Sequence, residues 1–348
     1  MSNISDWVRA NIRSLKPYSS ARDEYTGKVG LFLDANENSI GSVSDTKNNR
    51  YPDPHQSEVK AMISKILDLE EQNIFLGNGS DEAIDLLIRI FCEPKEEEII
   101  VLPPTYGMYK VAADINNVAV TEVPLDENFD LDVDGILKAV KPNTKILFIC
   151  SPNNPTANMM SPERVEIILQ NFAGIVVIDE AYIDFTEKKN MLHAFKLYPK
   201  LVILRTFSKA WGMANIRLGM AFGDEELIRF MNNVKPPYNV NGVTQDIALN
   251  ALKNLDKKDS MLKDIKEGRS VLINKLAPLP LIEKIYPSDA NFILVKFWDS
   301  AGVFSHLLNH KIIVRDRSKQ PGCENCLRIT VGTKEENETL INTISELG

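Results

Sequence analysis

The chain has 348 residues, 44% hydrophobic and 25% charged, with 40 basic against 48 acidic side chains for a formal net charge of -8. That length exceeds one small core and points to a large and a smaller domain of ordinary soluble composition. The negative balance argues against a nucleic-acid or anionic-membrane partner, and no apolar stretch approaches the roughly 20 residues that span a bilayer. Any anionic ligand must be held by local basic groups.

From the N-terminus, Ile4, Trp7, Val8, Ile12 and Leu15 fall on one helical stripe. The segment carries Asp6 and lacks the continuous apolar core of a secretion signal, so it reads as an amphipathic arm that docks on protein. Gly77-Asn78-Gly79-Ser80-Asp81-Glu82 then leads into a helix with Ile84, Leu87, Ile88 and Phe91 on one face. The glycines allow a tight turn, Ser80 is the expected N-cap, and free N–H groups at the helix start suit a phosphate. Apolar runs over residues 145–150, 175–178 and 201–204 read as parallel strands buried on both faces, with a helical crossover over 162–172. After about residue 245 a charged helix over 247–268 is followed by short strands over 291–297, 312–314 and 327–331, with a helix near 303–308. The fold class predicted is α/β: a large domain with a mostly parallel sheet flanked by helices, plus a smaller α+β domain.

Each of the three parallel runs ends in a polar cluster: Ser151-Pro152-Asn153-Asn154-Pro155-Thr156, then Asp179-Glu180-Ala181-Tyr182, then Thr206-Phe207-Ser208-Lys209. Ligands of open parallel sheets bind outside the carboxyl ends of the strands, so these clusters should converge on one crevice. Lys209 at a strand mouth can form a Schiff base with an aldehyde cofactor, while Thr206, Ser208 and Arg217 can hold a phosphate. Pyridoxal phosphate needs such a lysine, an anion for its pyridine nitrogen, partners for its ring oxygen and a phosphate clamp. Asp179 can supply the anion, although a turn aspartate is common by itself. Asn154 and Tyr182 are placed for the ring oxygen, and Ser80, Asp81 through its backbone N–H, Thr206, Ser208 and Arg217 for the phosphate. Tyr106 could stack on the pyridine face or serve ordinary core packing.

Cysteine usage is sparse: Cys92, Cys150, Cys323 and Cys326. A zinc site needs four ligands, and neither a second cysteine pair nor a histidine cluster accompanies Cys323 and Cys326, so a reduced, non-catalytic pair in a cytoplasmic protein is expected and no metal. His55, His193, His306 and His310 read as scattered surface or core-edge residues.

The ordered set Asp34-Ala35-Asn36-Glu37-Asn38, Tyr51-Pro52-Asp53-Pro54, the turn at 77–82, the three polar clusters and Arg217 resembles the fold-type I, pyridoxal phosphate-dependent aminotransferases. More narrowly it is similar to the histidinol-phosphate aminotransferase family, through Asn11-Ile12-Arg13, Pro17-Tyr18, Arg315-Asp316-Arg317 and the run from Pro321 to Gly332. The resemblance covers about residues 7–333. It implies an N-terminal arm over residues 1–30 that packs with the small domain or the partner subunit, a large cofactor domain over 31–245 and a small domain over 246–348. By the same resemblance Lys209 carries the cofactor and moves the proton, Asp179 pairs with the pyridine nitrogen, and Tyr182 and Asn154 contact the ring oxygen.

On the substrate side the resemblance implies Arg328, with Arg315, Tyr18 and Asn36 as helpers, and Tyr51 reaching the cofactor phosphate of the neighbouring subunit in a homodimer. The implied reaction is ping-pong transamination, L-histidinol phosphate and 2-oxoglutarate giving imidazole-acetol phosphate and L-glutamate in histidine biosynthesis. Alternatives on the same fold are an aromatic amino-acid aminotransferase and a threonine-phosphate decarboxylase. A cofactor-sensing regulator would carry an N-terminal DNA-binding domain, for which the residues before Asp34 leave no room. Arg328, inside an apolar strand, costs burial unless paired, whereas Arg317 reads as a solvated loop charge. Ala157 stands where glycine commonly follows Asn-Pro-Thr, so its turn must avoid positive φ or accept strain. Ser39 and Asn215 also depart from the family pattern, in loops.

Overall fold

A computed structural model describes residues 3–19, 30–44 and 48–348. Seven strands form the large sheet: β1 (Ile74–Asn78), β2 (Glu98–Val101), β3 (Ala119–Glu122), β4 (Thr144–Cys150), β5 (Ile175–Asp179), β6 (Leu201–Thr206) and β7 (Leu218–Phe222). Their order is β1-β7-β6-β5-β4-β2-β3, and β7 alone runs against the rest. The three runs expected as parallel strands are the adjacent β4, β5 and β6, paired in parallel.

Alternation along these strands feeds two cores. Leu147, Ile149, Val176, Ile178, Leu201 and Ile203 pack on one face. Ile146, Phe148, Ile175, Val177, Val202 and Leu204 pack on the other. Helices cover both faces, which is why the runs are apolar without a break. The crossover helix is Pro162–Asn171, with proline in its first turn.

The small domain holds an antiparallel sheet of β8 (Ile282–Ile285), β9 (Phe292–Phe297), β10 (Arg315–Asp316) and β11 (Cys326–Thr330), in the order β10-β11-β9-β8. Residues 312–314 were expected as a strand; pairing instead begins at Arg315, opposite Arg328, because Ile312 and Val314 leave the ladder to pack on the small-domain core. The charged segment after 245 is two helices, Gly242–Leu252 and Leu255–Leu276. The first crosses the expected boundary at 245–246 and packs through Ala248 and Leu252 on the large-domain core.

The N-terminal segment is a 3-10 turn, Ile4–Asp6, and a short helix, Ala10–Arg13, rather than one helical stripe. Ile4 and Val8 are buried against the large sheet's helices, and Arg9 pairs with Glu93 at 2.9 Å. Residues 4–13 therefore dock on the large domain of their own chain. Apolar burial and a direct ion pair decide that placement. Residues 20–29 of the expected arm lie outside the described residues. Among the described residues no helix is long and apolar enough to cross a membrane.

Candidate active site

The cleft begins where β1 ends. Gly79 opens the helix Gly79–Phe91 with φ +73°, and a Cβ there would sit 2.6 Å from Arg217 Nη2. Opposite Gly77 on β7 lies Gly219, where a Cβ would meet the Ser80 nitrogen at 2.1 Å. Two missing side chains thus let the helix N-terminus seat directly on β7 beside a guanidinium. Asn78, not Ser80, occupies the cap position; Ser80 falls inside the first turn because the helix starts two residues earlier than its side chain suggests.

Arg217 has a left-handed backbone (φ +53°), and its Nη2 lies 3.2 Å from Asp81 Oδ2. Tyr106 donates its hydroxyl to the other Asp81 oxygen at 3.0 Å. On the facing loop, Thr206 Oγ1 accepts from the Ser208 nitrogen at 3.0 Å, and the Phe207 nitrogen donates to the Leu218 carbonyl, so β7 pins the turn that presents Lys209.

Asp179 ends β5 and is buried at 3% exposure. Burial raises its pKa to about 6, against the pull of the Tyr109 hydroxyl, which donates to Oδ2 at 2.8 Å, and of the Ala181 nitrogen, which donates to Oδ1 at 3.0 Å. Tyr109 is fully buried and stacks on Phe148. Sequence reasoning missed it: the only signal was an aromatic three residues after Tyr106, with nothing to name its partner. Glu180, next in the chain, turns away and pairs with Arg205 at 2.8 Å.

Burial also lowers the pKa of Lys209, helped by the charges of Arg328 and Arg217 and opposed by Asp179 and Asp81. Its Nζ lies 5.4 Å from the centre of the Tyr182 ring. Burial pushes the Tyr182 phenol well above its ordinary pKa, so it stays protonated. Asn154 Nδ2 donates to the Tyr182 hydroxyl at 3.4 Å, and Arg328 Nη1 donates to Asn154 Oδ1 at 2.6 Å. This chain of contacts crosses from β4 and β5 to β11, tying the small domain to the cleft.

Ser80, Asp81, Tyr106, Asn154, Asp179, Tyr182, Thr206, Ser208, Lys209 and Arg217 all line the resulting cleft. These are all the cofactor residues expected from one chain. Tyr51 does not line it; its ring stacks on Tyr238, with centroids 4.5 Å apart, and is half exposed. Tyr18 is 75% exposed, and Asn36 (φ +55°) and Arg315 are exposed, so none of the three is brought into the cleft within this chain.

Three expectations need correction or completion. Arg317 is not a solvated loop charge: it is half-buried, and its Nε is enclosed without a hydrogen-bond partner among the described residues. Ala157 does take the left-handed backbone, φ +71°, and is fully buried beside Tyr182 and Phe292. His306 and His310 are not scattered; one helical turn apart, their Nε2 atoms lie 3.4 and 3.7 Å from Glu346 Oε2. Cys323 and Cys326 are free and buried.

The family signature described as "Aminotransferase class I and II" matches residues 24–344. The chain belongs to this family. It is an enzyme that transfers amino groups. It is 54% identical over 342 residues to a histidinol-phosphate aminotransferase of Cytophaga hutchinsonii, with 98% of each chain covered. Among solved structures, a histidinol-phosphate aminotransferase of Clostridium acetobutylicum superposes with a TM-score of 0.79 at 26% identity, covering 86% of this chain and 91% of that one. A Sinorhizobium meliloti histidinol-phosphate aminotransferase in complex with pyridoxal-5'-phosphate shares the fold, with a TM-score of 0.78 at 20% identity over 97% of this chain and 96% of that one.

Proposed function

We propose that the chain is a pyridoxal phosphate-dependent histidinol-phosphate aminotransferase, converting L-histidinol phosphate and 2-oxoglutarate to imidazole-acetol phosphate and L-glutamate. One conjunction supports the reading. A buried carboxylate, a lysine with lowered pKa and a helix-start cradle share one cleft, in a chain 54% identical end to end to an enzyme of that name.

The cleft fits the cofactor. Because Gly79 and Gly219 carry no Cβ, the helix start packs directly on β7 beside Arg217, where its backbone N–H groups and the guanidinium can receive a phosphate, with Ser80, Thr206 and Ser208 adding hydroxyls. Asp179 would pair with the ring nitrogen, an opposite charge that relieves the cost of burying its own. Protonated Tyr182 and the Asn154 amide would hydrogen-bond the ring oxygen, and Tyr106 would cover a ring face. When bound, pyridoxal phosphate supplies an electron sink for the pair left when the donor's Cα–H bond breaks.

Lys209, whose pKa burial lowers, is the base for that proton: it would take it from Cα and deliver it across the ring. Arg328, fixed on Asn154, would hold the substrate's anionic group with Arg315, and the planar fork suits phosphate and carboxylate alike. We read the active form as a cytoplasmic homodimer in which Tyr18 and Tyr51 serve composite sites. Exposed Leu31, Leu33, Ile40 and Val43, between those tyrosines in the sequence, support a covered surface, and four free cysteines suit a reducing compartment.

A product assay tests the reaction. Glutamate should form from 2-oxoglutarate only when L-histidinol phosphate is supplied, without carbon dioxide release. Carbon dioxide from phosphothreonine, or equal turnover of aromatic amino acids, would instead support the decarboxylase or the aromatic aminotransferase.

A further inference from the structure

Arg315 and Arg328 are register partners in the small-domain sheet, and Arg317 continues the ladder by donating its backbone N–H to the Cys326 carbonyl at 2.9 Å. Residues two apart on a strand share a face, so three guanidiniums stand on the side of the sheet that reaches Asn154 and Tyr182. Arg328 spends one N–H on Asn154, and none of the three forms an ion pair among the described residues. Arg317 stands apart in one respect: its Nε is buried with no acceptor among the described residues, and the charges of Arg328 and Arg315 both bear on it.

A buried guanidinium nitrogen without an acceptor costs free energy, and two like charges beside it add to the cost. A dianion arriving at this face would offset both. A phosphate monoester carries a charge of about -1.5 to -2 at neutral pH, whereas the distal carboxylate of a dicarboxylic acid carries one charge. Two arginines suffice for the carboxylate. The third is matched only by the phosphate.

We propose that Arg317 is a third arginine of the substrate anion site and sets its preference for a phosphate-bearing over a carboxylate-bearing donor. This rests on the function proposed above. Arg317→Gln and Arg317→Lys holoenzymes should be compared with wild type in single-turnover reactions with L-histidinol phosphate and, separately, with L-glutamate. Inhibition of the glutamate reaction by inorganic phosphate and a thermal melt complete the set.

Arg317→Gln should lower kcat/KM for histidinol phosphate on the order of 10- to 100-fold, through weaker binding, and weaken phosphate inhibition in parallel. The glutamate reaction should fall much less. Arg317→Lys should recover part of the loss, since it restores charge without the fork. Equal losses with both donors, with a lowered melt, would make Arg317 a structural residue and overturn the proposal. If wild type does not convert histidinol phosphate at all, the proposed function fails instead. Phosphate inhibition then decides Arg317 by itself: a weaker Ki in Arg317→Gln upholds the third arginine, and an unchanged Ki overturns it.

Discussion

Asp179 shows how the site trades stability for chemistry. Its raised pKa means that the folded chain keeps a proton the unfolded chain has lost between the ordinary carboxylate range and about pH 6. The sign follows: stability from this group is fully present below that window and is lost as pH rises through it. Asp179→Asn should therefore raise the melting temperature of the cofactor-free protein at pH 8 relative to pH 4, by up to about 3 kcal/mol in free energy, while abolishing transamination. A melt that moves equally at both pH values would contradict the assignment. Arg328 makes a second case. Arg328→Ala leaves Asn154 Oδ1 without its donor and should lower kcat/KM on the order of 10- to 100-fold for both amino donor and keto acid. A change in only one would disprove a shared anion pocket. Ala157 pays for its buried methyl with a left-handed backbone that costs about 1–2 kcal/mol, a departure for which glycine is the ordinary solution.

At the scale of elements, the cradle between β7 and the helix Gly79–Phe91 depends on absent atoms. Gly79→Ala adds left-handed strain of about 1–2 kcal/mol and crowds Arg217, so titration should show weakened cofactor affinity with the fold retained. Unchanged affinity would remove the cradle from the phosphate site. What the sequence made legible follows from burial. The strands β4, β5 and β6 are covered on both faces and so appear as unbroken apolar runs, and their ends named the cleft. The strand β7 reads as Leu-Gly-Met-Ala-Phe, with a glycine kept for close approach, and β8 is short and half-exposed; neither carries a strand pattern. The bond from Tyr109 to Asp179 joins residues 70 apart, and Arg317 reads as a loop charge because its partial burial arises only in the folded chain. Sequence periodicity carries no information about such contacts.

For the whole molecule, the junction between domains is part of the site. Ala157, Tyr182 and Phe185 of the large domain pack with Leu262, Ala290 and Phe292, while Asp289 donates its backbone N–H to the Ala157 carbonyl and accepts from the Met159 nitrogen. Arg269 reaches the carbonyls of both Phe185 and Ala290. The cleft's geometry therefore depends on how the two domains sit. Because Tyr51 lies away from its own chain's cleft, mixing Lys209→Ala with Tyr51→Ala subunits should restore about one quarter of wild-type activity, from hybrid dimers with one complete site. No restoration would place Tyr51 in its own subunit's chemistry or outside the site.

The most direct test is the visible spectrum of the purified holoenzyme, recorded after L-histidinol phosphate and again after 2-oxoglutarate. The band of the bound aldehyde cofactor should vanish with the first and return with the second, and Lys209→Ala should lack it. A band untouched by histidinol phosphate but bleached by aromatic amino acids would contradict the substrate assignment.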